Sequence, residues 1–359
     1  MDIVTHGLAS LAVARGFFPR AGKLATAGAV LAGCIADIDW LSSYFGPSAF
    51  LTWHGTYAHS IFVAVIISAI FPAMLLAAVL WGGLGIEVEL QEGEALFKDP
   101  RPARNRALLT GLVPLFFALF LPAMLHIAMD ACQSDGVMLF WPFSSRRFAA
   151  DWLPSIDPWI LTILIGAIAL PELLRLVGSE IGSREKKPRG QTGAIVGLAL
   201  VLVYVGVRAT LHSSSTALMT SRTFHGETPR RVRAYPESIS ILTWHGAVET
   251  ESALDKIDVN SASPGEFDPD SSVRFFKPEP SPALDAARNT TVARRFLATA
   301  QIPRASVEKL ERGYAVTLRD FRYAASGEAN HEIAAYIEVN LNNKVASQEL
   351  VWARDLKND

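Results

Sequence analysis

The sequence predicts an α-helical transmembrane bundle, an N-terminal helical hairpin plus about four spans, followed by a small β-rich α+β soluble domain. Three observations predict it. Half of the residues (50%) are hydrophobic and 19% are charged, too apolar for an ordinary soluble chain of 359 residues. The long apolar runs are confined to residues 1–211. Residues 212–359 are polar, rich in Pro, Asp, Glu and Ser, and carry stretches with the period of strands. The chain therefore divides into a multi-pass membrane domain, 1–211, and a soluble domain, 212–359.

The opening Met1-Asp2 lacks the basic region and small-residue cleavage site of a signal peptide. Ile3 to Ala14 is too short to cross a bilayer alone. With Leu24 to Ala36 it forms an antiparallel hairpin closed by "RGFFPRAGK". Ser60 to Ile86 then runs 27 residues without a charge, and Ala107 to Met129 gives 23 more, interrupted only by Pro114, Pro122 and His126. Each exceeds the roughly 20 residues a span needs. Pro158 to Pro171, prolonged by "ELLRLV", and Gly190 to Val207 supply the last two spans.

Loop charge sets the orientation. One set of loops holds Arg15, Arg20, Lys23, Lys98, Arg101, Arg104, Arg106, Arg184, Lys186, Lys187 and Arg189, eleven cations in all. The opposite set, residues 37–58 and 130–157, holds only Arg146 and Arg147. The first set is therefore expected in the cytoplasm. That places the 54–59 segment, the end of the 107–129 span and the whole C-terminal domain on the extracytoplasmic side.

In the C-terminal domain "IAAYIEVNLN", Ile333 to Asn342, puts Ile333, Ala335, Ile337, Val339 and Leu341 on one face of a strand. "YAVTLRDFRY", Tyr314 to Tyr323, and "ISILTWHGAVET" read as two more strands. "ALDAARNTTVARRFLATA", between Pro282 and Pro303, reads as one helix. No catalytic motif stands out in this domain. A formal net charge of −2 offers no basic field for nucleic acid. The two cysteines, Cys34 and Cys132, form no CxxC pair, which excludes a disulfide framework or zinc ribbon.

The ionisable residues near the apolar runs are few and concentrated. His6 sits in "DIVTHGL", Asp37 and Asp39 in "CIADIDW", His54 and His59 in "HGTYAHS", and His126 and Asp130 in "LHIAMDAC". His126 and Asp130, four apart, share a helical face. The topology brings the last three groups to one side of the membrane, and the hairpin returns His6 to the level of Asp37 and Asp39. Such a concentration beside lipid is costly unless something compensates it. A divalent metal, one ion or two, does so economically. Imidazole and carboxylate suit zinc, with manganese and iron as alternatives. The bland readings are a helix-start His6, loop-capping aspartates, interfacial histidines and a buried His126–Asp130 hydrogen bond. His212, His225, His245 and His331 are isolated in polar sequence and read as surface or packing residues.

The order of these motifs, through "LHIAMDACQSDGVMLFWPFSSRRFAADWLPSIDP", resembles a bacterial family of membrane-bound, metal-dependent hydrolases over residues 1 to about 160. The resemblance implies that His6, Asp37, Asp39, His54, His59, His126 and Asp130 serve a metal site. Two departures bear on substrate choice. Gly55 stands where the family has Arg after the first His, and Ala58 where Thr precedes the second. The His/Asp order is also similar to that of zinc-dependent phospholipase C enzymes, by analogy only.

The expectation is a hydrolase of the bacterial inner membrane, using metal-activated water on a phosphoester or other ester. Membrane lipids are its surroundings, and a lipid or lipid-linked molecule its substrate. His126, Asp130, His54 and His59 are the first-choice ligands, and Asp37 or Asp39 a ligand or the general base. A metal-binding transporter or sensor, or a catalytically inactive scaffold, is the alternative.

Overall fold

The structure, a computed structural model, describes residues 1–81, 100–180, 190–327 and 332–356. Lys98, Arg184, Lys186, Lys187, Arg189 and His331 lie outside these residues, as does the end of the Ser60–Ile86 run. The side chains of Arg101, Arg104 and Arg106 are likewise not among those described.

Helix α1 (Ile3–Phe17) starts where Asp2 caps it, its carboxylate accepting from the backbone N–H of Thr5 at 2.9 Å. Its 15 residues rise about 22 Å at 1.5 Å each, short of the roughly 30 Å hydrocarbon core. After a turn at Phe18–Ala21 the chain returns as α2 (Gly22–Ala32), packed on α1. The predicted run to Ala36 is cut at Gly33, and a 3-10 stretch, Ile35–Phe45, follows at a 42° bend. Gly33 packs directly against the other arm: a Cβ there would collide with the Ser10 side chain.

After α3 (Pro47–Trp53), the four predicted spans appear as α4 (Ile61–Trp81), α5 (Pro100–Ala131), α6 (Pro158–Glu180) and α7 (Gln191–Thr220). Pro72, Pro114, Pro122 and Pro171 lie inside these helices, as membrane helices allow when neighbours satisfy the freed carbonyls. Asp157 caps α6, accepting from Trp159 and Ile160 N–H at 3.0 and 3.1 Å. Among the described residues two helices, in α5 and α7, are long and apolar enough to cross by themselves. The number rises to four if each bent pair, Gly22–Ala32 with Ile35–Phe45 and Pro47–His59 with Ile61–Met74, counts as one span.

Helix α7 does not stop near residue 211 but continues to Thr220, where Met219 is fully buried against the first sheet. That sheet has the antiparallel order β1 (Arg231–Pro236), β2 (Thr243–Glu249), β3 (Ala253–Asn260), β4 (Val273–Phe276). The second, also antiparallel, is β5 (Pro303–Leu310), β6 (Gly313–Asp320), β7 (Ile333–Asn340), β8 (Val345–Trp352). The C-terminal half is thus richer in strands than the sequence signalled. The added strands lack clean alternation: β8, for example, is exposed over most of its length.

Three sequence expectations are corrected here. The single helix after Pro282 is two, α8 (Pro282–Arg288) and α9 (Thr291–Leu297), because Thr290 interrupts it to cap α9 through Ala293 N–H. Strand β7 ends at Asn340, so Leu341 lies in the turn and is exposed rather than on the core face. The expected strand through Tyr323 ends at Asp320, whose carboxylate caps a short helix, α10 (Phe321–Ser326), by accepting from Arg322 N–H. That last break has a functional consequence: it turns Arg322 and Tyr323 toward the membrane half.

Candidate metal centre

The starts of α1, α4 and α6 and the ends of α5 and α7 share one end of the bundle, the end that carries the C-terminal domain. The α1–α2 turn is at the other end, where Gln191 Nε2 donates to the Gly16 carbonyl at 3.0 Å. All seven residues singled out in the sequence lie at the first end and form one connected cluster. His6 enters from the first turns of α1, Asp37 and Asp39 from the 3-10 stretch, and His54 from the end of α3. His59 ends a 3-10 turn, Tyr57–His59, one residue before α4, and His126 and Asp130 come from the last turns of α5.

Within the cluster, one ligand atom each of His6, Asp37, His126 and Asp130 lie within 4.8 Å of one another, and all four residues are buried. His6 Nε2 is 3.1 Å from Asp130 Oδ1, and His126 Nε2 is 3.1 Å from Asp130 Oδ2 and 3.6 Å from Asp37 Oδ1. The two imidazoles stack, with ring centroids 3.8 Å apart. The expected return of His6 to Asp37 across the hairpin is therefore present in the structure.

His59 borders this quartet: its Nε2 is 3.2 Å from Asp130 Oδ2 and 3.9 Å from Asp37 Oδ1. Its Nδ1 is 3.1 Å from Asp39 Oδ2. Asp39 meanwhile reaches His54 Nδ1 at 3.0 Å through Oδ1 and accepts from Gly55 N–H at 3.0 Å through Oδ2. Both oxygens of Asp39 are thus turned to two histidines and the intervening loop. Asp37, by contrast, keeps Oδ2 buried without a hydrogen-bond partner among the described residues.

Of the first-choice ligands, only His126 and Asp130 belong to the quartet of converging atoms. His54 is drawn aside by Asp39 and stacks on Phe50, ring centroids 4.5 Å apart. Gly55 follows it at φ +65°, a left-handed conformation that glycine adopts without strain. A Cβ there would come 2.9 Å from the Gly136 carbonyl, so the loop is closed tightly on the segment after α5. Arg147 holds the same loop, donating to the His54 carbonyl at 3.0 Å and the Gly136 carbonyl at 3.4 Å. Of the remaining described histidines, His212 meets Trp244 edge-on, His225 contacts Ser272, and His245 bridges Glu237 and Asp258, as packing and surface groups do.

The donor set suits a divalent cation. His126 Nδ1 is hydrogen-bonded to a carbonyl while its buried Nε2, facing two carboxylates, has no hydrogen-bond partner; Asp37 Oδ2 and His6 Nδ1 are also buried and unpartnered. Three carboxylates and four imidazoles in one cluster, all but His54 buried, match the oxygen and nitrogen ligands of zinc, manganese or iron. The only positive group at hydrogen-bonding distance from Asp130 besides these imidazoles is the Met1 amino group, 2.6 Å from Oδ1, among the described residues.

Asp37, His54, His59 and Asp130 of the cluster line a cavity of about 650 Å³ whose opposite wall is the C-terminal domain. Tyr235 comes from β1, and Arg322 and Tyr323 from α10. Arg322 donates to the Ser134 carbonyl, forms an ion pair with Asp135 at 3.0 Å and donates to the Tyr323 hydroxyl at 2.6 Å. Burial works to raise the carboxyl of Asp135, but the positive charges around it, Arg322 first among them and joined by His54, the Met1 amino group and Arg147, together hold the group below its ordinary range. Burial likewise opposes the charge on Arg322, and Tyr323, Asp135 and Asp320 together keep it firmly protonated. Sequence reasoning missed these wall residues. Arg322 sits in a segment that reads as the end of a strand, and its only signal was an Asp at a helix-capping position.

A family model described as YdjM inner membrane protein matches residues 1–214. No curated protein and no solved structure matches the chain.

Proposed function

The chain belongs to the YdjM inner membrane protein family, and we propose that in this membrane setting it is a metal-dependent hydrolase of a phosphoester or other ester in a lipid or lipid-linked substrate. The observation that carries the proposal is the convergence of His6, Asp37, His126 and Asp130 on one buried point beside a partly open cavity. These four residues would hold the metal, and His59 lies near enough to complete or extend the set. A bound divalent cation supplies a Lewis acid that makes water nucleophilic near neutral pH.

The chain's own residues divide the remaining work. Asp37, with Oδ2 unpartnered, accepts the proton of the attacking water. Asp39 fixes the ring of His54 through its Nδ1 and sets its other oxygen 3.1 Å from His59 Nδ1. His54, which lines the cavity and is the most exposed imidazole of the cluster, protonates the departing oxygen. The C-terminal domain covers the cavity and limits water. In keeping with the charge bias of the loops, we place this whole end on the extracytoplasmic side. A transporter would instead need ionisable groups near the middle of its spans; these seven sit where helices begin and end.

Elemental analysis of the full chain purified in detergent, followed by an ester screen on metal-loaded protein, tests the proposal. Stoichiometric zinc, manganese or iron with turnover of an ester is the expected result. Protein that takes up no metal, or that takes it up and hydrolyses neither phosphoesters nor carboxylic esters, would overturn it.

A further inference from the structure

We infer that the C-terminal domain supplies the anion-recognising half of this cavity, with Arg322 binding a phosphate group of the ligand opposite the His/Asp cluster. The inference rests on the hydrolase reading above and adds the group that the substrate presents.

Charge and placement carry it. The cavity wall contains four carboxylates, Asp2, Asp37, Asp130 and Asp135, and among the described lining residues Arg322 is the only Lys or Arg side chain. A ligand that enters with a phosphate therefore meets one fixed side-chain cation, at the wall facing the cluster. A guanidinium has five N–H donors in a planar fork that matches phosphate oxygens. Arg322 uses Nη1 on the Ser134 carbonyl and Asp135, one N–H of Nη2 on the Tyr323 hydroxyl, and has Asp320 3.9 Å from Nε; these fix its position and leave the second N–H of Nη2 for a ligand oxygen. Its ring contact is equally defined: the guanidinium carbon lies 4.4 Å from the centroid of Tyr323. Tyr235, also in the wall, is held by Gln301, which itself donates to the Ser134 carbonyl at 2.6 Å. The wall is thus tied to the segment after α5 and presents its cation to the cavity that the cluster also lines.

A purely structural latch would use the same Arg322–Asp135 pair, and the two roles make opposite predictions for its two partners. In the latch, loss of either member does equal damage. In an anion site, Asp135 competes with the ligand for Arg322, so its removal helps and removal of Arg322 harms.

The test is calorimetric binding of two probes, inorganic phosphate and dihexanoyl phosphatidic acid, to full-length, zinc-loaded protein and its variants, with thermal stability measured alongside. Arg322→Gln should weaken binding of the phosphate group at least tenfold, the scale of a lost hydrogen bond to a charged group. Arg322→Lys should recover part of the loss, and Asp135→Asn should bind as tightly as the wild type or more so. Binding of the lipid but not of free phosphate identifies a headgroup site; binding of both assigns the recognition to the phosphate itself. Wild-type protein that binds neither probe, Arg322→Gln that binds normally, or Asp135→Asn that weakens binding as much as Arg322→Gln would each overturn the inference. Because binding is read without turnover, failure of the hydrolase reading shows separately, as bound phosphate probe with no ester cleaved.

Discussion

His126 Nδ1 lies 2.8 Å from the carbonyl oxygen of Gly33, a buried contact that joins the end of α5 to the end of α2. The carbonyl can only accept, so Nδ1 carries the proton and Nε2 presents its lone pair to Asp37 and Asp130. The same glycine lets α1 and α2 approach, since a Cβ would strike Ser10. Gly33→Ala should therefore cost about 1 to 3 kcal/mol in overpacking and, by moving the carbonyl, lower metal affinity about 10 to 100-fold. Gly7→Ala is the control: its Cβ would sit 3.6 Å from Cys34 Sγ, an ordinary contact. Thermal unfolding and metal titration of both variants check the difference.

Asp37 and Asp39 are two residues apart yet differently engaged. Asp37 keeps an oxygen unpartnered beside the quartet, whereas both oxygens of Asp39 face His54, His59 and Gly55 N–H. Asp37→Asn is expected to abolish stoichiometric metal and turnover. Asp39→Asn should retain metal with affinity lower by about 10 to 100-fold. Equal effects on metal content from the two changes would refute the division of roles.

His126→Ala should remove bound metal and leave the protein folded and inserted. Zinc added to the wild type at 100 times its Kd should stabilise it by about 2.7 kcal/mol, and the variant should show no such gain. If His126 and Asp130 form only a structural hydrogen bond, zinc will not stabilise either protein, and each substitution will cost about 0.6 kcal/mol, typical of intramembrane pairs.

The C-terminal domain is docked on the membrane half through a second ion pair. Asp151, fully buried at φ +59°, meets Arg233 of β1 at 2.8 Å. Asp151→Ala should destabilise by about 2 to 3 kcal/mol, less than the 3 to 5 of a wholly buried pair because Arg233 is partly exposed. Asp151→Asn, which tolerates the left-handed backbone and keeps an acceptor, should cost under about 1 kcal/mol. Chemical denaturation in detergent reads both.

Reporter fusions should place residues after Thr220 outside the cytoplasm and the 181–189 segment inside it, as the loop charges require. Fusions that report one side for both positions would contradict the orientation.

The sequence by itself determined the coarse plan. Charge-free runs give the helices α4 to α7 because a long apolar segment hides its backbone best as a helix, and that signal is local. The clean alternation of Ile333, Ala335, Ile337 and Val339 gives β7 for a similar reason: each side chain reports the face it occupies. The seven His and Asp residues were legible because ionisable groups are rare beside lipid. Their partnership was not. Only tertiary structure decided that His6 and Asp37 join His126 and Asp130, that Asp39 draws His54 aside, and that Thr220 rather than residue 211 ends α7. Those outcomes depend on where Gly33 lets two helices touch and on how Met219 is buried by the first sheet. Arg322 was least legible of all. A capping aspartate converts a strand-like segment into α10, and docking across many residues of sequence carries its charge to the cavity, a result no local period encodes.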